Sequence, residues 1–513
     1  MVGFAPSVAA EDTMLTRRRL LAAGGVALGG LLVGRRPSIA DAAVASSSQA
    51  APPVVRAPYV SRPDLNPPPI TVVTPAQQTA PGFIYLTPFD IGATTTTLAS
   101  IPASKSRVGP LIVDSSGEPV WYLPLADETA MGLRIQQFRG KPALTWYRGT
   151  VLGSYGGDYY VFGDTYHQLA KVKAGDGLRG DLHEFLLTPE RTALISIYSE
   201  ITADLRSVGG PRKGRLVEGV VQEVDVATGR VVFQWRSSKH VGLGESYRTG
   251  VTDAGNVDYF HLNSIDIDRD GHLLISARHT STVYKIHRHT GEIIWRLGGK
   301  RSDWRVDRAA AFSFQHDVRR CTDGTITLFD NSATDSGPRV ASRGLRIVLR
   351  EGTQRASLVR QYRTPTRRNG WAMGSVQELP DGGVFVGWGT DGSFSEFGPD
   401  GDLRFDARFG DASVSYRAYR TQWNAKPTGT PTIAVVPGAS STMTVYASWN
   451  GATAVSSWEV QTGAAADGLQ RAGSAVRTGF ETAITVPAVT GFASAVALDD
   501  KGRRLGASTP IAV

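Results

Sequence analysis

The sequence holds one cysteine, Cys321, in 513 residues. An intramolecular disulfide is excluded, no cysteine-based metal spacing exists, and Cys321 reads as a packing residue. Apolar runs of helical period are scarce after residue 45, and none there reaches the ~20 residues that a membrane span needs. Excess charge is modest as well. Of the formal +8, residues 1–45 hold five Arg against Glu11, Asp12 and Asp41, which leaves +6 on the remainder. No basic run interleaved with aromatics marks a nucleic-acid surface, whereas a mildly positive field favours anionic small substrates.

What the chain does have is 57 Gly, 28 Pro, 10 Trp and 16 Tyr, a composition of many short strands and turns. The N-terminal "TRRRLLAAGGVALGGLLVG" sets a twin arginine, Arg17-Arg18, before an apolar Gly-rich run. That is the pattern of a twin-arginine export signal, with small-x-small cleavage sites at Ala40-Asp41-Ala42 or Ala43-Val44-Ala45. Residues 1–45 are therefore expected to be a signal peptide, which places the mature protein outside the cell or at its surface. An uncleaved anchor is the other reading. Residues 46–82, rich in Pro, Ala and Ser, read as a linker or a strap along the surface.

From residue 83 a unit recurs imperfectly at roughly 45 to 60 residues, the spacing of a propeller or solenoid. In "SIDID", Asp270-Gly271, "HLLISARH", "TVYKIH", Thr290-Gly291 and "EIIWRL" it is four strands joined by tight turns, one blade. Six such units fit between residues 83 and 425. Past Pro427 the charge falls and short alternating strands with Trp449 and Trp458 suggest a sandwich of about 85 residues. The expected fold is all-β: a six-bladed β-propeller followed by a C-terminal fibronectin type III or immunoglobulin-like sandwich over 427–513.

At the first strand of three successive units stands a histidine: His183 in "LHEFLL", His261 in "FHLNSI" and His316 in "FQHDVR". Innermost strands line a propeller's channel, so three imidazoles are expected to converge there, with Asn263 and Arg278. A three-His zinc site is one reading. Arg278, a permanent cation, would repel a metal and suits an anionic oxygen better. Arg319, Asp330 and Asn331 are further channel candidates or blade braces. His279, next to Arg278 on a strand, is expected to face the opposite side and to be structural. His287 and His289 read as solvent-facing.

The segments "GPLIVDSSGEPVWY", "DYFHLNSIDIDRDGHLLISARHTSTVYKIHRHTGEIIWRLGGKRSDW", "FSFQHDVR", "LFDNS" and "GWGTDGSFSEF" resemble the bacterial arylsulfotransferases, in their actinobacterial and fungal branch. The resemblance spans about residues 59–425 and implies a six-bladed propeller that moves a sulfuryl group from an aryl sulfate to a phenol without phosphoadenosine phosphosulfate. It implies His316 as nucleophile, His261 and His183 as proton carriers, and Asn263 and Arg278 as holders of the sulfuryl oxygens, with no metal and no organic cofactor. Two other classes stay open: a quinoprotein-like propeller, since "TGEIIWRL" and "TGRVVFQW" carry that Thr-Gly and Trp signature, and a non-catalytic extracellular binding module.

Overall fold

The structure, a computed structural model, describes residues 59–90, 108–126, 128–150, 156–248, 250, 255–335, 337–338 and 340–513. The expected signal peptide and the first part of the Pro-rich segment lie outside the described residues. Among those described, the regular elements are strands and short 3-10 turns, without an α-helix, and no helix is long and apolar enough to cross a membrane.

Six mainly antiparallel sheets follow one another along the chain. The second contains Thr129–Phe138, Lys141–Thr150, Gly156–Phe162 and Gln168–Val172. The third contains Phe185–Leu187, Thr192–Ala203, Gly214–Asp225 and Val231–Arg236, and the fourth Leu262–Ile267, Leu273–Ala277, Thr282–Ile286 and Ile293–Gly298. The fifth is built on His316–Arg320, Ile326–Asp330, Arg343–Arg350 and Arg355–Tyr362, the sixth on Ser375–Glu378, Val384–Gly387, Ser393–Phe397 and Leu403–Phe409.

The first sheet is different, because it takes strands from two distant parts of the chain. Phe83–Leu86, Leu111–Val113 and Pro119–Tyr122 are joined by Tyr419–Thr421, which pairs antiparallel with Phe83–Leu86. Ile70–Thr74 goes the other way and pairs with Leu403–Phe409 at the outer edge of the sixth sheet. First strands of successive sheets touch, and Ser375–Glu378 of the sixth meets Tyr419–Thr421 of the first, which completes a closed circuit. The architecture is all-β and propeller-like.

Middle strands such as "LLISA" and "TVYKI" are buried on both faces because each sheet is covered by its two neighbours. The outermost "IIWRLG" alternates toward solvent. Apolar clusters accordingly sit between sheets: Val221, Tyr259, Phe260, Ile275 and Tyr284 between the third and fourth, Leu297, Val318, Leu328 and Leu345 between the fourth and fifth. Trp235 buries its ring there and donates Nε1–H to Gly291 O at 3.0 Å, tying the last strand of one sheet to the Thr290-Gly291 turn of the next.

An ionic hub joins the sheets at their centre. Glu184 binds Arg134 at 2.8 Å, Arg319 at 2.6 Å and Arg417 at 3.1 Å. Asp317 binds Arg319 at 2.7 Å and Arg417 at 3.2 Å, and accepts Val376 N–H at 3.1 Å. Arg319 also donates to Ile265 O at 2.8 Å. Arg319 is thus a brace between sheets, not a wall of the channel. Burial alone would raise the Glu184 carboxyl, but the three guanidiniums overcome it and hold the group far below the usual range.

Residues 432–513 form two further antiparallel sheets, Thr432–Pro437, Thr442–Ser448, Glu481–Pro487 and Gln470–Val476, Ser457–Gly463, Phe492–Leu498, Arg504–Ala507. They enclose their own core around Trp458, Val445, Val460 and Ile484. Asn450 reads the outer strand of the first sheet like a pairing strand, accepting Tyr122 N–H at 3.0 Å and donating to Tyr122 O at 2.9 Å. Glu481 accepts Val60 N–H at 3.2 Å and Ser61 N–H at 2.5 Å.

Candidate active site

All three expected histidines stand where their sheets begin. His183 lies two residues before Phe185–Leu187, His261 immediately before Leu262–Ile267, and His316 opens its own strand. At His261 and beyond His316 the backbone leaves the strand conformation, with φ of 57° at His261 and 54° at Asp317. The pairing register shifts beside each of them, as bulges do where a side chain must be re-aimed. The rings then meet. His183 and His261 have centroids 5.1 Å apart, His183 stacks on Tyr198 at 5.1 Å, and Tyr416 stands edge-on to His183 at 5.4 Å and to His316 at 6.3 Å.

Each imidazole is held by Nδ1, and the partner differs in kind. His261 donates Nδ1–H to Asp258 Oδ2 at 2.6 Å. His183 makes a short bond to Asp181 Oδ1, which also accepts the His183 backbone N–H at 3.0 Å. His316 instead donates to the neutral amide oxygen of Asn331 at 2.7 Å. Asn331 Nδ2 donates to Gly370 O at 2.6 Å and Met373 O at 2.9 Å, which fixes its oxygen toward His316. The proton of His316 is therefore on Nδ1, and Nε2 carries a lone pair that makes no hydrogen bond among the described residues. Burial, and after it the charge of Arg278, keep this imidazole well below its ordinary pKa, hence neutral.

Arg278 follows Leu273–Ala277 and is 8% exposed. Its guanidinium donates to His279 Nε2 at 3.0 Å and Trp371 O at 3.2 Å and lies 4.7 Å over the Phe314 ring. It forms no ion pair with a carboxylate among the described residues, and its Nε is buried without a partner. Burial and then Arg248 lower it to about 10. His279 faces the same cluster, its ring 4.5 Å from His261. The expectation that it points away fails because strand alternation ends at Ala277, one residue before Arg278. Donating Nδ1–H to Asp258 O at 2.6 Å and accepting from Arg278, it has both nitrogens occupied and positions the guanidinium.

Asn263 is fully buried, spends one amide hydrogen on Gln315 O at 2.7 Å and leaves Oδ1 unpartnered. Asp330 braces its loop through Ser313 N, Ser332 N and Arg343. His287 accepts turn N–H groups from His289 and Thr290 at 3.3 and 3.1 Å. Among the described residues, Asp258, His261 and His279 are close enough to share a metal. With both nitrogens of His279 engaged and Arg278 in contact, that group suits a cation poorly.

The partners Asp258, Asp181 and Asn331 and the walls Tyr198 and Tyr416 complete the site. Asp258 arrives on Asn256–Asp258, which runs parallel to Gly214–Asp225. Burial would raise its carboxyl, yet His261 and His279 hold it far below the usual range. The loop supplying Gly370 O, Trp371 O and Met373 O ends at Gly374, whose φ is 105° and where a Cβ would come within 2.4 Å of the Phe329 ring.

The profile of one protein family, described as Arylsulfotransferase (ASST), matches residues 134–410, more than half of the chain. The chain belongs to the arylsulfotransferase family. The matched region begins in the second sheet and ends just after the sixth, so it contains His183, His261, Asn263, Arg278 and His316 together with Asp181, Asp258 and Asn331. The arylsulfotransferase match leaves out Tyr416, Arg417 and the closing strand.

No curated protein matches the sequence. Solved structures that the chain matches include a protein of unknown function from Bacteroides caccae, at 11% identity over 64% of this chain and 93% of that one, with a TM-score of 0.38. A virginiamycin B lyase from Staphylococcus aureus has 8% identity over 74% and 97%, with a TM-score of 0.34. The Dos1 propeller has 12% identity over 66% and 70%, with a TM-score of 0.30. All three scores lie below 0.5, and the arylsulfotransferase assignment rests on none of them.

Proposed function

We propose that the six sheets are the blades of a six-bladed propeller whose channel transfers sulfuryl groups from aryl sulfates to phenols through a sulfohistidine on His316. The observation that carries this reading is the pairing of a neutral, tautomer-fixed imidazole with a buried guanidinium that forms no ion pair with a carboxylate among the described residues. The first is a nucleophile held ready, and the second requires an anion.

In the first half-reaction the Nε2 lone pair of His316 bonds to sulfur while the sulfur–oxygen bond to the aryl group breaks. The leaving phenolate takes a proton from Nε2–H of the imidazolium form of His261, which burial disfavours and the Asp258 carboxylate stabilises. Arg278 holds the non-bridging oxygens, over which charge spreads in the transition state, and the second amide hydrogen of Asn263 supports them. In the second half a phenol gives its proton back to His261 as its oxygen bonds to sulfur and the nitrogen–sulfur bond breaks. His183, on Asp181, is the alternate proton carrier. No phosphoadenosine phosphosulfate, metal or organic cofactor takes part in these steps. The leader at residues 1–45 directs export by the twin-arginine route, and residues 427–513 serve as a fibronectin type III-like module fixed to the first blade.

The test is release of 4-nitrophenol from 4-nitrophenyl sulfate, with and without phenol, by the intact protein and by His316→Ala. Phenol-dependent release that drops by about 10³ or more in the variant supports the reading. Release unaffected by the substitution would remove His316 from the mechanism.

A further inference from the structure

Arg278 has a neighbour of the same charge. The segment entering the fourth sheet is pinned to the turn that carries Arg278 and His279. Tyr247 N–H donates to His279 O at 2.7 Å, Arg248 N–H donates to Ser246 Oγ at 3.1 Å, and Lys300 Nζ donates to Ser246 O at 2.5 Å. The charge of Arg248 bears on Arg278, His279 and Asp258. Among the described residues its one ion pair is with Asp335 Oδ1, at 3.6 Å, with side chains 28% and 29% exposed.

That contact is beyond hydrogen-bond length and partly solvated, so it is a loose Coulombic pair, exchangeable for a competing anion. Arg278 keeps a buried Nε without a partner and Arg248 is held only by this loose pair, so an oxyanion reaching both would give each guanidinium the close acceptor it lacks. Asp335 comes from a different element, just past Ala333–Thr334 of the segment leaving the fifth sheet's second strand. It can part from Arg248 without disturbing the turn that holds Arg278.

We infer that Arg248 and Arg278 form a two-point clamp for an anion bearing several oxygens, and that Asp335 is the carboxylate such an anion displaces from Arg248. The name of the anion, an aryl sulfate, rests on the sulfuryl-transfer reading above. The clamp selects oxyanion esters over neutral esters of the same shape, and Arg248 is its specificity-determining half.

The experiment is titration calorimetry of the intact protein with benzenesulfonate, which cannot be transferred, and with its neutral analogue benzenesulfonamide. Arg248→Gln weakens benzenesulfonate about tenfold and leaves benzenesulfonamide unchanged, while Asp335→Asn tightens benzenesulfonate several-fold. Unaltered benzenesulfonate affinity in Arg248→Gln, an equal loss for both ligands, or no binding to the parent protein overturns the clamp. Should the clamp results hold while 4-nitrophenol is never released, the clamp stands and the sulfuryl-transfer reading falls. Transfer by a protein indifferent to Arg248 has the opposite meaning.

Discussion

Buried arginines stand in two places near the histidines, a hub and the site, and the two places differ in one respect. In the hub, Arg134, Arg319 and Arg417 are matched by Glu184 and Asp317, the residues directly after His183 and His316. At the site, Arg278 is as buried as they are, and among the described residues it hydrogen-bonds only a carbonyl and an imidazole. Matched charges bind the sheets together, whereas the unmatched one leaves a place for something that the chain does not supply. Residue type and burial are alike in both groups, so the pairing decides which does what.

Substituting the hub gives the largest effect. Glu184→Gln leaves three buried guanidiniums short of a charge and is expected to cost about 3–5 kcal/mol of stability, measured as a lower urea midpoint. A loss under about 1 kcal/mol, the range of a surface pair, would remove the contrast.

Arg278→Met moves the two properties in opposite directions. Removing an unmatched buried cation leaves the urea midpoint equal or higher, while sulfuryl transfer falls about 100-fold, the scale of losing one donor to a developing charge. Strong destabilisation would mean that Arg278 is a brace like Arg319.

The smallest effect sits at Asn331. His316 is held well below the ordinary imidazole value, so its nucleophilic form persists as pH falls, and kcat/KM is expected to keep its level to well below about pH 6.5. Asn331→Asp puts a carboxylate on Nδ1, raises the His316 pKa and moves the acid limb of the profile upward. An unmoved limb would show that Asn331 does not govern this imidazole. The same buried histidines affect folding. Below about pH 6.5 the unfolded chain takes up protons that the folded His316, His261 and His279 refuse, so stability falls as pH falls.

The strands and the histidines are legible in the sequence, whereas the contrast between the two sets of arginines is not. Strand grammar placed the sheets, and the recurrence of a histidine at the first strand of three units placed His183, His261 and His316 together. Their partners were less visible. Asp181 and Asp258 lie two and three residues before their histidines, a spacing readable only once the turn geometry is known. Asn331 is fifteen positions from His316 and meets it only because Ile326–Asp330 pairs with His316–Arg320. His279 turns toward the cluster, against strand alternation, because alternation holds within a strand and not at its end. Tyr419–Thr421, three residues long, carries no signal of its own. Its identity as a strand depends entirely on Phe83–Leu86.

That short strand has a consequence for how the protein is made. Thr421 and Tyr85, joined through a side-chain hydrogen bond, are 336 positions apart, so the first blade waits for its inner strand until nearly the whole ring has left the ribosome. Tyr416 and Arg417 come off in the same late stretch, and with them the ring wall beside His183 and the last cation of the hub. A nascent chain therefore lacks a closed ring for most of its synthesis. A chain ending before Tyr419 lacks the closing strand, and one ending before Tyr416 also lacks the wall beside His183 and the hub's Arg417, however well its individual sheets have formed.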